Sequence, residues 1–431
     1  MQENVNVIVI GAGFGGLQAV KKLARQKNFR ITLIDKTNHH LFQPLLYQVA
    51  TAVLSSADIA IPSRSLTEKY ENVTVIMEEV TRIDKENKSV FFNGRSLKYD
   101  FLILAMGAQT GYFGHEDWKK YTSGLKNLPD ALEIRKRLLL SFEEAENHPE
   151  DAGKLLKYII IGGGPTGVEL AGSIAELSHV IIRKDFRNID TSKAEIILIE
   201  GGADLVPSFD RTLSVYTKKQ LEKRGVTVML NSRVANVEDK IIYVNTLDGQ
   251  KIIEGNIIIW AAGVEPVPMT QNMGISLDRS KRVIVNQYCY IDGYPDIFVI
   301  GDMSDHKQAN GKPLPGLGPV AMQQGRYVAK FIINKLKGKQ TPPFRFLDKG
   351  NMATIGRKNA IAEFRSLKMT GLIGWFAWLF VHLYYMVGFK NKISILITWI
   401  WSYLTFGAGA RVIQDPINSK SKENSFNISN E

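Results

Sequence analysis

Twice in this chain a run of β-branched residues stops at a glycine, passes two more glycines and gives way to a helical pattern. The first copy is Val5-Asn6-Val7-Ile8-Val9-Ile10 followed by Gly11-Ala12-Gly13-Phe14-Gly15-Gly16. A buried strand that turns through Gly-x-Gly-x-x-Gly into a helix is the signature of a dinucleotide-binding α/β unit. Gly11 permits the tight turn, and Gly13 lets the backbone approach a pyrophosphate. Gly16 lets the helix pack close to the strand, while the helix N-terminus supplies the positive end of a dipole. A second strand, Arg30-Ile31-Thr32-Leu33-Ile34, ends at Asp35, 24 residues after Gly11. An acid there can accept hydrogen bonds from a ribose diol.

The second copy is Leu156-Lys157-Tyr158-Ile159-Ile160-Ile161 followed by Gly162-Gly163-Gly164-Pro165-Thr166-Gly167. Its helix is predicted over Val168 to Leu177. The next strand, Glu195 to Ile199, ends at Glu200, 38 residues after Gly162. The extra length lies in His179 to Lys193, read as an insertion. Both copies keep three glycines and a strand-end acid, which favours two occupied dinucleotide sites over one site and a structural copy. A carboxylate at Glu200 welcomes a ribose 2′-hydroxyl and repels a 2′-phosphate, and Gly201-Gly202-Ala203-Asp204 add no base. The expected nucleotide is therefore NADH.

A third element, Tyr294-Pro295-Asp296-Ile297-Phe298-Val299-Ile300-Gly301-Asp302, is a short strand delivering Gly-Asp. In flavoproteins with two dinucleotide folds the matching Asp binds the ribityl and phosphate region of FAD. Leu102 to Ala108 and Ile257 to Gly263 read as return strands. The expected architecture is α/β, with two Rossmann-like domains, one for FAD and one for NADH, plus an apolar C-terminal helical region that anchors to a membrane. Residues 1–115 and 286–340 are expected to build the FAD domain, 116–285 an inserted NADH domain, 341–413 the membrane-associated region and 414–431 a disordered tail. Such a pair of sites implies hydride transfer from nicotinamide to flavin.

The rest of the composition narrows the electron acceptor. A single cysteine, Cys289, excludes an intramolecular disulfide, a redox cysteine pair and a cysteine-rich metal cluster. Cys289 is expected to be a small buried hydrophobe. The seven histidines are scattered, and His39-His40 lacks the spacing of a helical metal pair, so no metal is expected. Glu78-Glu79 and Glu143-Glu144 read as solvated faces. A net charge of +11 suits an anionic surface, but the charge is spread along the chain and no nucleic-acid-reading motif accompanies it. The N-terminus, without a basic n-region, reads as the mature start.

Met369 to Phe389 holds no Lys, Arg, Asp or Glu, and Ile393 to Ala410 is a second uncharged run with Trp399, Trp401 and Tyr403. Length alone would allow spanning helices. The interior His382, the glycines and the scattered aromatics favour an interfacial anchor over a spanning hairpin or a buried dimer-interface pair. Lys368, Lys390, Lys392 and Arg411 flank these runs and suit anionic headgroups.

With these features the sequence resembles the type II NADH dehydrogenases, single-subunit NADH:quinone oxidoreductases that pump no protons. The resemblance rests on His40 to Thr51 (HLFQPLLYQVAT), Gly162 to Gly172 (GGGPTGVELAG), Asp185 to Asp190 (DFRNID) and Trp401 to Phe406 (WSYLTF). It implies FAD contacts at Gly11, Gly13, Phe14, Gly15, Gly16, Asp35, Lys36, Val80, Gly107 and Asp302. It implies NADH contacts at Gly162, Gly164, Thr166, Gly167, Glu200 and Gly263. Glu169 is implied to handle protons where nicotinamide and quinone approach the flavin, although an acid near a helix start also suits the dipole. Pro44, Gln323 and Gln324 are implied to meet the quinone. The family's quinone motif Ala-Gln-x-x-x-Gln corresponds to Gly318 to Gln323, with Pro319 replacing the first Gln, and Ser173 stands where many relatives carry Glu. The resemblance further implies a peripheral, monotopic protein on the cytoplasmic face of a bacterial inner membrane, with homodimerisation compatible. A soluble NADH-dependent reductase serving a protein acceptor, and a flavoprotein redox sensor or scaffold, are the competing readings.

Overall fold

The computed structural model describes residues 4–413 apart from 309, 406 and 408. The tail expected to be disordered lies outside the described residues. The first glycine unit is built as its sequence requires: β1 (Val5–Ile10), α1 (Phe14–Leu23) and β2 (Phe29–Asp35), followed by β3 (Val73–Met77) and β4 (Phe101–Leu104). The inserted unit repeats the plan with α2 (Leu128–Asn147), β5 (Lys157–Ile161), α3 (Pro165–Glu176), β6 (Glu195–Ile199), β7 (Val226–Met229) and β8 (Ile257–Trp260). The chain then returns to the first sheet through β9 (Tyr294–Val299) and α4 (Gly318–Leu336). It ends in β10 (Asn351–Thr354), β11 (Ala360–Phe364), β12 (Leu367–Thr370), α5 (Gly371–Tyr385) and α6 (Phe389–Thr405).

The first sheet has the order Tyr290–Ile291, β9, β4, β1, β2, β3, parallel except at the short first strand. Alternate residues of β1 feed opposite faces. Val7 and Val9 join one core with α1 and α4, and Ile8 and Ile10 join another with Val80, Val283 and Val285. A parallel sheet covered on both faces needs such continuous apolar strands. The second sheet, Ser123–Gly124, β8, β5, β6, β7, repeats the device, with Tyr158 and Ile160 on one side and Ile159 and Ile161 on the other.

The two units are joined by an antiparallel pair, Ala108–Thr110 with Val264–Pro266. We place the limits of the inserted unit at these crossings. Val283–Val285, in the stretch after Pro266, pairs with Ser304–His306 and joins the core of the first unit. The insertion after α3 begins as a π-helical turn, Leu177–Ile181, and its Asp185 pairs with Arg411 near the C-terminus.

The C-terminal apolar runs are two-faced helices. The 21-residue run divides into the end of β12, then α5, then a break at Gly388, whose φ of +86° a side chain would strain. At 15 residues α5 extends about 22 Å, short of the roughly 30 Å hydrocarbon thickness. Among the described residues no helix is long and apolar enough to cross a membrane. Trp375 and Trp378 of α5 and Ile395 and Trp399 of α6 are buried against the protein, with Trp378 and Trp399 at 5.4 Å between ring centroids. The opposite faces expose Ile373, Phe376, Phe380 and Tyr384 on α5, and Ile397, Ile400 and Trp401 on α6. Each of these side chains is more than half exposed. Their spacing of three and four residues makes a continuous apolar stripe.

Candidate functional site

Both glycine turns are held by the strand that follows them. Asp35 Oδ2 accepts from the Ala12 amide at 2.6 Å, and its Oδ1 accepts from the Thr37 amide and hydroxyl, both at 2.7 Å. Glu200 Oε2 accepts from the Gly163 amide at 2.6 Å, and Oε1 from the Gly202 amide at 2.7 Å. Gly11 has φ +103° and Gly162 has φ +112°, and a Cβ at either would collide with the backbone of Ala105 or Ala261. Cβ atoms at Gly16 and Gly167 would lie 1.9 and 1.8 Å from the carbonyl oxygens of Gly11 and Gly162. Gly13 and Gly164 are the extended N-caps of α1 and α3, and Thr166 lies exposed in the first turn of α3. The close helix–strand approach therefore aims two helix N-termini at two phosphate positions.

A cavity of about 390 Å³ opens beside the first turn, lined by Gly11, Asp35, Lys36, Val80, Met106 and Met269 among others. It joins an apolar floor to a strand-end carboxylate and a glycine turn, which fits the adenosine end of FAD. Glu78 and Glu79, expected on a solvated face, line this cavity as well. The reason is local: the Glu78 amide donates to the Asp35 carbonyl, so the pair follows β3 to the mouth of the site.

The flavin side of the site draws on distant elements. Asp302, on the turn after β9, pairs with Lys126 at 3.1 Å. Phe14 lies edge-on to His40 and Phe42, and a Cβ at Gly318 would sit 3.3 Å from its ring. His40 is buried, bonds the Ala12 carbonyl at 2.8 Å and titrates below its ordinary range because burial disfavours its charge. A Cβ at Gly15 would meet Ile300 at 2.9 Å, and one at Gly263 would meet Phe113 at 2.8 Å. Gly107, with φ +72°, has nothing within 4 Å on its Cβ side and leaves the backbone open toward the cleft. Cys289 is fully buried in the core of the first unit.

Glu169 lies in the second turn of α3 and keeps a partly exposed edge. Its Oε1 accepts from the Thr354 amide of β10 at 3.3 Å. Burial pushes its carboxyl up to about 8, and the Thr354 bond offsets only part of that. At neutral pH the side chain is mostly a neutral acid, ready to give a proton.

The residues expected at the quinone are used differently. Gln324 is fully buried; its Oε1 accepts from the Gly301 amide at 2.7 Å and its Nε2 donates to Ser304 Oγ at 3.3 Å. It holds the turn that carries Asp302. Gln323 bonds both ends of its amide to the Leu347 backbone at 3.0 Å, fastening α4 to the segment before β10. Pro44 starts a 3₁₀ turn, Gln43–Leu45, and is partly exposed. Lys126 and Thr354 were missed in sequence because each reaches its partner across more than 170 residues.

The family described as pyridine nucleotide-disulphide oxidoreductase matches residues 5–325, and the NDH2 C-terminal domain matches residues 349–407. The chain is 40% identical over 423 residues to the type II NADH:quinone oxidoreductase Ndh of Mycobacterium tuberculosis (strain ATCC 25618 / H37Rv), covering 95% of this chain and 90% of that one. It is 30% identical over 374 residues to the type II NADH:quinone oxidoreductase of Staphylococcus haemolyticus (strain JCSC1435), covering 86% and 92%. Its fold matches the structure of NDH2 from Plasmodium falciparum in complex with NADH with a TM-score of 0.87 at 22% identity, covering 96% of this chain and 100% of that one.

The raised carboxyl of Glu169 links pH to stability. The advantage of keeping it neutral is whole below the ordinary carboxylate range and is lost as pH rises toward about 8. Glu169→Gln removes this linkage. In urea unfolding at pH 5 and pH 8, the wild type should lose on the order of 3 kcal/mol more than the variant between the two. Equal losses would show that the carboxyl is not held neutral.

Proposed function

The chain belongs to the type II NADH:quinone oxidoreductases, and on that premise we propose that it is an FAD-dependent enzyme that takes hydride from NADH and passes two electrons to a membrane quinone, moving no charge across the membrane. Bound FAD supplies the two-electron step between nicotinamide and quinone. The chain's own residues hold, orient and supply protons. The Gly11 to Gly16 turn and α1 receive the FAD diphosphate, Asp35 its adenosine ribose, and Lys36 and Val80 line the adenine end. Asp302, steadied by Lys126, serves the ribityl side. The Gly162 to Gly167 turn and Glu200 receive NADH, with Gly263 and Gly107 on the approaches between the units.

The observation that carries the reading is Glu169. It is a largely buried acid kept protonated at neutral pH, on the helix that starts at the nucleotide turn and strapped to the sheet that carries the apolar helices. A quinone arriving from that side would take from the flavin site two electrons and the proton that NADH brought as hydride, and its second proton from Glu169, and we assign both protons to one side of the membrane. Pro44 and Gln323 border the route we assign to it.

The exposed stripe on α5 and α6 supports monotopic attachment to a phospholipid surface, which we assign to the cytoplasmic face of a bacterial inner membrane. Lys390 and Lys392 in the first turn of α6 stand beside the stripe for anionic headgroups, while Lys368 pairs with Asp210. A homodimer would cover the same face. Flotation with anionic phospholipid vesicles distinguishes the two. The wild type should rise with the vesicles and Ile373→Asp/Phe380→Asp should remain below, whereas a wild type that stays below as a dimer would sink the membrane reading.

The reaction itself is tested anaerobically on the purified yellow protein. NADH should bleach the flavin, NADPH should do so far more slowly because Glu200 repels its 2′-phosphate, and a short-chain quinone should restore the colour rapidly. Bleaching without recovery would favour a protein acceptor, and very slow bleaching a redox sensor.

A further inference from the structure

At the end of α1 remote from its glycine turn, three elements set their cations around one groove of about 1030 Å³. Lys21 and Lys22 come from the last turn of α1, and Arg25 from just beyond it. Lys69 follows the Ser63–Thr67 helix, and Arg326 lies on α4 beside α1. Lys330, one turn further along α4, adds a sixth charge close enough to act on Lys22. A helix C-terminus favours cations, which accounts for Lys21, Lys22 and Arg25. It does not account for Lys69, Arg326 and Lys330, which two other elements bring to the same place.

These charges lack a counter-charge. Glu68 is the one acid among the residues that line the groove, and it is exposed. Among the described residues none of the six cations forms an ion pair. Arg326 Nε donates to the neutral Gln18 Oε1 at 2.8 Å, and Lys69 Nζ lies 5.3 Å from the Tyr70 ring centroid. Lys21 and Lys22 are half-buried and titrate below the ordinary lysine range. Burial is the first cause for both, followed by Lys69 for Lys21, and by Lys330, Arg25 and Arg326 for Lys22. Elsewhere lysines meet acids, as Lys88 meets Asp296 and Lys157 meets Glu195. Like charges crowded on a concave wall focus a field that draws anions. The groove also has an apolar side, formed by Leu66, Tyr70 and Ile333.

We propose that this groove is a binding site for a molecule that carries two or more phosphates beside an apolar body, the chemistry shared by soluble organophosphates and anionic phospholipids. Cations from three elements around a groove of this volume call for more than one anionic group. Arg25 and Arg326 offer planar forks that match phosphate oxygens, and the lysines add point charges. Leu66, Tyr70 and Ile333 receive the apolar part. The ten residues of α1 put about 15 Å between this groove and the glycine turn, so a ligand here leaves the FAD diphosphate position untouched. The site is independent of how quinone is reduced.

The test is calorimetric titration of inorganic tripolyphosphate into the FAD-loaded protein saturated with NAD⁺, so that both glycine turns are occupied. The salt is about 150 mM, where exposed charges interact over about 8 Å. The wild type should bind, and Lys69→Glu/Arg326→Glu should bind at least about tenfold more weakly, because like charge then faces the phosphates. Lys223→Glu/Lys251→Glu makes the same change of net charge on the inserted unit and should stay within about twofold of the wild type. Flavin bleaching by NADH should be equal in all three, which separates lost binding from lost folding. A wild type that does not bind, or equal weakening in both variants, would overturn the site. If Lys69→Glu/Arg326→Glu does not retain FAD, Lys22→Gln/Arg326→Gln takes its place, and undiminished affinity there is equally contrary. Repeating the titration with anionic and with neutral phospholipid vesicles identifies the source of the phosphates. Competition by anionic vesicles alone assigns the groove to lipid headgroups, and no competition by either assigns it to a soluble organophosphate.

Discussion

The hydrogen bond that a strand-end carboxylate accepts from the second residue of the preceding glycine turn is the constraint on which the rest of the molecule is built. It occurs as Asp35 with Ala12 and again as Glu200 with Gly163, at 2.6 Å in both units. Charge-assisted bonds to backbone amides are among the stronger ones, and this one ties each turn to the strand beside it. The turn can then lie only where helix and strand approach at glycine distance, so Gly16 and Gly167 are forced by sterics. The same contact logic recurs where α4 crosses α1, since a Cβ at Gly325 would lie 2.1 Å from the Gly15 carbonyl. Two helix N-termini are thereby fixed beside their glycine turns, and Glu169 rides on the second of those helices.

The second dependence is between the C-terminal helices and that cleft. Burying Trp375, Trp378, Ile395 and Trp399 is worth roughly 1.5–3 kcal/mol per side chain in area removed from water, enough to dock both helices although their outer faces stay apolar. Docking brings α6 against the Leu46–Ala50 helix and, through Arg357, against α3. The enclosure that raises the Glu169 carboxyl is in this way shared between the nucleotide unit and the apolar one.

The parts of this design that repeat at short spacing were legible in the sequence: both glycine turns, both strand-end acids, the strand leading to Asp302, and the apolar C-terminal runs. Local sterics and periodicity specify them. What was not legible depends on contacts distant along the chain. Thr354 and Lys126 carry no motif, and nothing local shows that Tyr47, in the HLFQPLLYQVAT segment, and Trp399, in the second apolar run, are joined through Gln48. Gln324 sat in the right segment for a ligand contact, yet helix phase turned it inward to Gly301 and Ser304. Val283–Val285 pairs with Ser304–His306, and no local signal announces that pairing.

In the proposed mechanism the protein environment holds Glu169 protonated until quinone takes the proton. The direct measurement is the stopped-flow rate of reoxidation by a short-chain quinone, after reduction with one equivalent of NADH, from pH 6 to pH 9.5. The wild-type rate should be flat at low pH and fall about tenfold per pH unit above a midpoint near 8, and Glu169→Gln should be slow and flat throughout. A wild-type rate that stays flat to pH 9.5, or a Glu169→Gln variant that matches it, would contradict the claim.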